Sequence, residues 1–427
     1  MRATNVTVWQ QLFTRRMLIC VFIGFASGLP LYLLINLVPA WLYTEHIDLK
    51  VIGAVTLIQF PYTWKFLWSP LLDRYSVPTL GRRRGWMLLT QVALLVVIAS
   101  LGGFSPQHDL GIIILLATLL AFLSATQDIA LDAYRRELLL DNELGLGSAV
   151  HVNAYRISGL IPGSLALILA DHLPWNMVFI ITALFMLPGI AMTLLVSEPL
   201  AVNTPRTLRD AVVEPFREFI GCRGWQSALL ILAFLFFYKL GDSLSTALAT
   251  PFYLEMGFSK TQIGLIAKNA GLWPAVIGAL LGGIWMLKLG INRALWLFGV
   301  VQVVSIFGFY WLSTQGHHAE IASINLMQLA FVIGLEALGV GLGTAAFVAY
   351  IAHTTHPAYT ATQFALFTSL AAVPRTFVNA TAGWLVEQLG WSSFFLLCAA
   401  LAVPGMLLLL KVAPWGKTQA VLEPSTF

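Results

Sequence analysis

Charge is what this sequence has least of. Asp, Glu, Lys and Arg make up 10% of its 427 residues, against about 25% in ordinary soluble domains, and the mean hydropathy is +0.81. So few charges cannot cover a water-exposed surface, which excludes a soluble protein. Cysteine is also scarce. Cys20, Cys222 and Cys398 have no metal-ligand or redox spacing, so no disulfide framework, zinc site or thiol chemistry is expected. There is no HExxH or GxSxG stretch and no nucleophile set beside a base, which speaks against an enzyme. The N-terminal MRATNVTVWQQLFTRRM lacks a small-residue cleavage site, and the apolar run after it is too long for a signal h-region. The first apolar segment is therefore expected to be a retained helix.

What the chain has instead is long apolar runs. Crossing the hydrocarbon core takes about 20 predominantly apolar residues per helix. Twelve stretches qualify: near 17–42, 51–72, 86–104, 111–133, 146–170, 174–196, 226–253, 261–287, 292–312, 321–352, 360–386 and 391–411. With the N-terminus in the cytoplasm, Arg15, Arg16, Arg74, Arg82, Arg83, Arg84, Arg135, Arg136 and the basic residues of 197–225 share its side, and the opposite face keeps only Lys50 and Lys260. The positive-inside bias thus predicts both termini inside. It also reads GRRRGW as a topology anchor rather than a nucleic-acid patch.

An internal repeat organises these segments. HIDLKVIGAV (46–55) before the second matches GFSKTQIGLI (257–266) before the eighth, with Ile-Gly kept in register at an offset of 211 residues. The same offset aligns the first segment with the seventh. The expected organisation is a six-helix half over 1–196, a cytoplasmic linker over 197–225, a second half over 226–412 and a tail over 413–427. The linker sequence RTLRDAVVEPFREF predicts a short amphipathic helix. Repeated halves with polar groups near midplane are the architecture of secondary transporters. Gly24 with Gly28, Gly278 with Gly282 and Gly339 with Gly343 each put bare backbone on one helix face, which predicts close helix packing.

Nine formally charged residues fall inside apolar segments: Lys65, Asp128, Asp132, Arg156, Lys239, Asp242, Lys268, Glu336 and Arg375. At ~2.5–3.5 kcal/mol each, leaving them unpaired would cost roughly 20–30 kcal/mol, more than the ~5–15 kcal/mol of a whole fold. They must pair with one another or face a watery cavity. Asp128 and Asp132 share one helix face about 6 Å apart along the axis, close enough that one carboxyl should hold a proton near physiological pH. Neutralisation by Lys65, Arg135 or Arg136 is the structural alternative. Glu336 is a second proton-site candidate. Arg156, after Tyr155, and Arg375 fall on corresponding helices and could clamp carboxylates bidentately, or pair with Glu336 or Asp128. Lys239 and Asp242, three apart, either neutralise each other or line a cavity. Lys65, Lys268 and Asn269 are further cavity candidates, and Tyr155 is among the aromatics that could stack on a sugar.

The loop WSPLLDRYSVPTLGRRRGW (68–86) resembles a lengthened form of the major facilitator superfamily loop motif. That resemblance implies a latch between neighbouring helix ends made by Asp73, Arg74, Arg82, Arg83 and Arg84. The matching loop GGIWMLKLGINRAL (282–295) keeps Arg293 without an acid, so the latch is expected on one side only. GFASGLPL (24–31), KFLWSPLLDRY (65–75), SATQDIALDAYRRELL (124–139), YKLGD (238–242), GLGTAAFVA (341–349) and ATQFALF (361–367) together resemble the AmpG family of muropeptide permeases within that superfamily, over nearly the whole chain.

The resemblance implies an all-α, twelve-helix major facilitator fold in the Gram-negative inner membrane. It implies a protein among membrane lipids that imports N-acetylglucosaminyl-1,6-anhydro-N-acetylmuramyl peptides with protons, needs no cofactor beyond the proton gradient, and indirectly supports β-lactamase induction; the sequence does not fix its oligomeric state, and a monomer is the expectation. Two rivals stay open at this point. One is a related carrier for another large anion such as acetyl-CoA, and the other is a membrane-embedded enzyme of cell-wall precursors.

Overall fold

The computed structural model describes residues 11–47, 56–77, 80–199, 207–258, 260–315, 322–356, 359–373 and 377–416. Among them the regular secondary structure is helical apart from one isolated bridge between Val77 and Gly81. In order come α1 (Arg15–Thr44), α2 (56–74), α3 (Arg83–Leu101), α4 (Leu110–Leu138), α5 (Leu144–Ala170) and α6 (Trp175–Leu195). After the linker helix Leu208–Arg223 follow α7 (Trp225–Glu255), α8 (260–289) and α9 (291–314) on either side of Gly290, α10 (Ala322–Thr354), α11 (described over 360–373 and 377–389) and α12 (391–412) beyond Gly390.

Nine helical stretches among the described residues are long and apolar enough to cross a membrane. Three features account for the difference from twelve. The stretch Asn269–Thr314 holds two helices, because Gly290 reverses the chain at φ 74°, ψ 166°. In α2, Pro61 and Pro70 each open a new turn, since proline lacks the amide that would continue the preceding one. The first helical run of α11 is only Thr360–Val373. Large apolar side chains such as Leu115, Phe331 and Leu407 are exposed, as a lipid-facing surface requires.

The repeat is visible in the backbone. His46, at φ 61°, is the sole described non-glycine residue with positive φ, and Gly257, 211 positions on, has φ 91°. Both close a helix in the same way: His46 N–H donates to Tyr43 O and Ile47 N–H to Leu42 O, while Gly257 N–H donates to Leu254 O and Phe258 N–H to Tyr253 O. This is the Schellman pattern of a left-handed C-cap. Gly81 (φ 91°) before α3 and Gly290 (φ 74°) before α9, 209 positions apart, are also left-handed. A side chain costs ~1–2 kcal/mol in the left-handed region. His46→Gly is therefore expected to stabilise the protein by about 1 kcal/mol, read as a raised unfolding midpoint in detergent.

The chain folds as two compact units. The first comprises Met1–Leu140, Val150–Arg217 and Thr355–Ser369; the second comprises Asp141–Ala149, Glu218–Thr354 and Leu370–Phe427. The first unit thus includes the opening turns of α11, and the second the opening turns of α5. The core of the first is built on Trp41, Phe179 and the leucines of α1, α3 and α4. That of the second is an aromatic stack of Phe252, Phe309, Phe394 and Phe395.

Glycine lets the backbones approach where the sequence predicts close packing. A Cβ on Gly24 would collide with the carbonyl of His151, and one on Gly28 with Tyr155 O and Ser158, so α1 lies directly on α5. A Cβ on Gly278 would meet Leu338 O, joining α8 to α10. Further along, π-helical turns at Leu33–Leu37 of α1 and Ile161–Leu165 of α5, shortly after Pro30 and around Pro162, pack against each other. The linker helix opens with a capping box, in which Asp210 N–H donates to Thr207 Oγ1 and Thr207 N–H to Asp210 Oδ2, each at 3.1 Å. It ends at Gly224, with φ 75° and ψ 150°.

Candidate functional site

Within the first unit, the two aspartates of α4 stand in different surroundings. Asp128 Oδ1 accepts a 2.6 Å hydrogen bond from Ser27 Oγ of α1. Asp132, one turn on, is surrounded by basic groups: Arg135 Nη2 donates to its Oδ1 at 2.9 Å, His151 Nε2 lies 3.9 Å away and Lys65 Nζ of α2 is 4.0 Å from Oδ2. Lys65 is buried. Gln127, beside Asp128 in sequence, donates from Nε2 to Ala26 O at 2.9 Å and fixes α4 against α1. One carboxylate thus belongs to an ion-pair network, and the other bonds a neutral hydroxyl. Carboxyl groups placed this close in unlike surroundings can play unlike protonation roles.

A second cluster lies at the linker end of the same unit. Asp73 and Arg83 are fully buried, and Arg83 Nη2 donates to Asp73 Oδ1 at 2.8 Å and to Glu137 Oε1 at 2.7 Å. Arg83 Nε adds a 3.0 Å bond to the same Glu137 oxygen, and Nη1 a 3.2 Å bond to Leu72 O. Arg82 Nη2 reaches Glu137 Oε1 at 3.4 Å. Burial, then the neighbouring Arg83, push the Arg82 guanidinium below its ordinary pKa, and Glu137 and Asp73 oppose that. The cluster also holds the start of α11. Ala361 N–H and Thr362 N–H donate to the Asp73 carboxylate at 3.3 and 2.8 Å, Thr362 Oγ1 donates at 2.7 Å, and Thr360 Oγ1 donates to Glu137 at 2.8 Å. Asp73 therefore caps the free amides and positive dipole end of a helix 288 residues away in sequence. Glu198 does the same for α3, accepting from Arg83 N–H at 2.7 Å and Arg84 N–H at 2.9 Å.

A hydrogen bond to a charged acceptor is worth about 1.5–3 kcal/mol. Thr362→Val, which keeps the shape and removes one donor to Asp73, should lower stability by about that amount. Chemical denaturation in detergent measures it, and an unchanged midpoint would detach Thr362 from the cluster.

In the second unit, α7 is interrupted at Lys239 (φ −101°, ψ 0°) and again at Leu248. Lys239 Nζ donates to Asp242 Oδ2 at 2.7 Å and lies 3.4 Å from Thr344 Oγ1 of α10. The ion pair thus sits where the helix breaks, with a partner on a neighbouring helix. Glu336 is buried on α10.

These arrangements have known relatives. A model of the Major Facilitator Superfamily matches residues 20–378. The chain belongs to the major facilitator superfamily. It is 52% identical over 407 residues to an uncharacterised protein of Haemophilus influenzae, covering 95% of this chain and 96% of that one. It is 44% identical over 398 residues to the anhydromuropeptide permease of Escherichia coli K12, covering 92% of this chain and 79% of the relative. Among solved structures, the human organic anion transporter MFSD10 superposes with a TM-score of 0.69 at 17% identity, over 92% of this chain and 99% of that one. That likeness concerns the fold. Relatives that carry functional names include permeases and putative transporters.

Seen as a major facilitator chain, the residues singled out in the sequence divide into several groups. Asp73, Arg82 and Arg83 come together. Arg74 instead lies over the Tyr75 ring, 5.5 Å from its centroid, and Arg84 donates to Thr193 O at 3.1 Å and Leu194 O at 3.0 Å at the end of α6. The second half repeats this last contact without an acid. Arg293 Nε donates to Trp415 O at 3.4 Å and Trp296 Nε1 to Ala413 O at 3.0 Å, just past α12. Asp128, Asp132 and Lys65 share one region. Tyr155 packs against Tyr32 with ring centroids 5.4 Å apart, and Arg156 follows it, half-buried, on α5. Asn269 is exposed on α8. Arg375 and the side chain of Lys268 lie outside the described residues. Sequence reasoning missed Ser27, Glu137, Glu198, Thr360 and Thr362. Glu137 and Thr362 stand inside SATQDIALDAYRRELL and ATQFALF, and an acid following two arginines at a helix end was a usable signal.

Proposed function

We propose that this protein is a proton-coupled importer of anhydromuropeptides, N-acetylglucosaminyl-1,6-anhydro-N-acetylmuramyl peptides, for peptidoglycan recycling, and that it thereby indirectly supports β-lactamase induction. The observation that carries the reading is the 44% identity to a protein named anhydromuropeptide permease over 92% of the chain. The ionisable groups buried in apolar helices agree with it, since such groups mark solute and proton paths. In this reading the protein sits in the inner membrane as a monomer with both termini cytoplasmic, and the halves 1–196 and 226–412 alternate access. Asp128, Asp132 and Glu336 handle protons. Lys65, Tyr155, Arg156, Lys239, Asp242, Lys268, Asn269 and Arg375 face the substrate. The cluster of Asp73, Arg82 and Arg83 gates the cytoplasmic end, with Arg74 and Arg84 at its margins.

The test is uptake of labelled N-acetylglucosaminyl-1,6-anhydro-N-acetylmuramyl tripeptide into proteoliposomes with and without an imposed pH gradient. Accumulation of the intact compound only with the gradient is the expected result. Equal filling in both conditions would remove proton coupling. A chemically altered label would make the protein an enzyme, and no uptake at all would point to another solute.

A further inference from the structure

The linker helix has two apolar faces, and the protein covers only one of them. Ala211, Pro215 and Phe219 are buried, and Gln363 Nε2 donates to Pro215 O at 3.0 Å. Leu208, Val212, Phe216 and Ile220 repeat with the same four-residue spacing on the adjoining face, and each is 41–46% exposed. The charges are sorted as well. Asp210, Glu214 and Glu218 line the side away from this exposed stripe and are partly buried. Arg209 falls within the exposed arc and Arg217 at its edge, both exposed, with Arg217 Nη1 donating to Glu214 Oε1 at 3.0 Å. A stripe of large apolar residues with arginines beside it is the pattern of a helix that lies in a membrane interface, where arginines keep their heads among phosphates while their stems cover apolar surface.

The chain's path puts the bilayer within reach. The linker helix ends at Arg223, Gly224 turns the chain at φ 75°, ψ 150°, and Trp225, 66% exposed, opens the membrane-spanning α7. One residue therefore separates the end of the amphipathic helix from a span. Tryptophan at that position is the usual marker of the headgroup level.

We propose that the linker helix is a membrane-surface element: its Leu208, Val212, Phe216 and Ile220 stripe lies in the headgroup–acyl boundary of the leaflet on the linker's side, with Arg209 and Arg217 on anionic phospholipid headgroups. Through Gln363 the lipid-seated helix also holds the α11 turn that Asp73 caps, so the surface charge of the leaflet bears on that cluster. The proposal needs only that α7 spans the membrane, and so stands apart from the identity of the solute.

Spin labels on the full-length protein in vesicles of phosphatidylethanolamine and phosphatidylglycerol test it. Cys20, Cys222 and Cys398 are replaced by alanine, and single labels are placed through Val212→Cys, Phe216→Cys, Asp210→Cys and Glu214→Cys. Labels at 212 and 216 should collide more with oxygen than with a water-soluble nickel chelate, and those at 210 and 214 should not. Arg209→Gln should lower the lipid-exposed component about fivefold, equivalent to ~1 kcal/mol for one arginine, and Arg217→Gln should lower it less, since Arg217 already pairs with Glu214. Water-like accessibility at 212 and 216 overturns the proposal, and so does shielding from both reagents, which would signal a protein partner such as a second copy. If the cysteine-free chain fails to fold, a diazirine amino acid at position 216 of the otherwise native chain gives the same decision. Crosslinks to phospholipid support the proposal, and crosslinks to protein, or none, refute it.

Discussion

Arg83→Met is expected to destabilise the protein by about 3–5 kcal/mol, the usual penalty for stripping the cation from a buried ion pair. Arg83 donates to both Asp73 and Glu137, so its loss leaves two carboxylates facing each other across a dry site. Asp73 would retain the donors of Ala361 and Thr362, and Glu137 would keep Thr360 and a 3.4 Å contact with Arg82. Those bonds soften the loss without replacing the charge. Arg83→Lys keeps the charge but cannot reach two acids and the Leu72 carbonyl at once, because a lysine ammonium lacks the planar fork. Its cost should fall between those of the wild type and the methionine variant. Removing an acid along with the arginine, as in Arg83→Met with Glu137→Gln, should cost less than the two single changes added, since they share one interaction. Unfolding midpoints of the purified proteins in one detergent measure all of this. A methionine variant within about 1 kcal/mol of wild type would mean that the cluster contributes little to stability.

The second large effect is on transport. Asp128→Asn should abolish gradient-driven accumulation while leaving the protein folded. The amide is nearly the same shape as the carboxyl and can still accept from Ser27, but it cannot take up or release a proton. Asp132→Asn should also abolish accumulation. It additionally leaves Lys65 and Arg135 short of their anion, so some loss of stability should accompany it. The two roles separate in a counterflow assay, in which labelled solute exchanges with unlabelled solute at equal pH on both sides. Asp128→Asn is expected to retain exchange, because exchange needs binding and reorientation but no net proton movement. If both variants still concentrate solute against an imposed gradient, neither aspartate couples protons.

Much of this was legible in the chain because membrane insertion is decided residue by residue. Each segment's apolar character sets its transfer free energy, so the apolar segments and the placement of Asp128, Asp132, Lys239 and Asp242 within them could be read directly. The repeat was legible for a similar reason. A left-handed helix end is a local requirement, and His46 and Gly257 meet it at the same point of two related segments. The amphipathic character of the linker helix likewise follows from four-residue spacing alone.

Pairing could not be read in this way, because it depends on how helices are rotated and which ones become neighbours. From sequence, Arg74, Arg82, Arg83 and Arg84 are equivalent cations beside one acid. Folding gives Arg83 two carboxylates, gives Arg84 the carbonyls that end α6, and turns Arg74 over Tyr75. Asp128 and Asp132 look like twins one turn apart, yet α1 brings a hydroxyl to the first, while α2 and α5 bring Lys65 and His151 to the second. Glu137 and Thr362 lie 225 positions apart and meet around Asp73 and Arg83 only because the opening turn of α11 packs into the first unit. Local sequence determined which residues enter the membrane. Tertiary structure decided which of them neutralise one another, because a charge in a low-dielectric interior is stabilised by whatever group lies within a few ångströms, regardless of its distance along the chain.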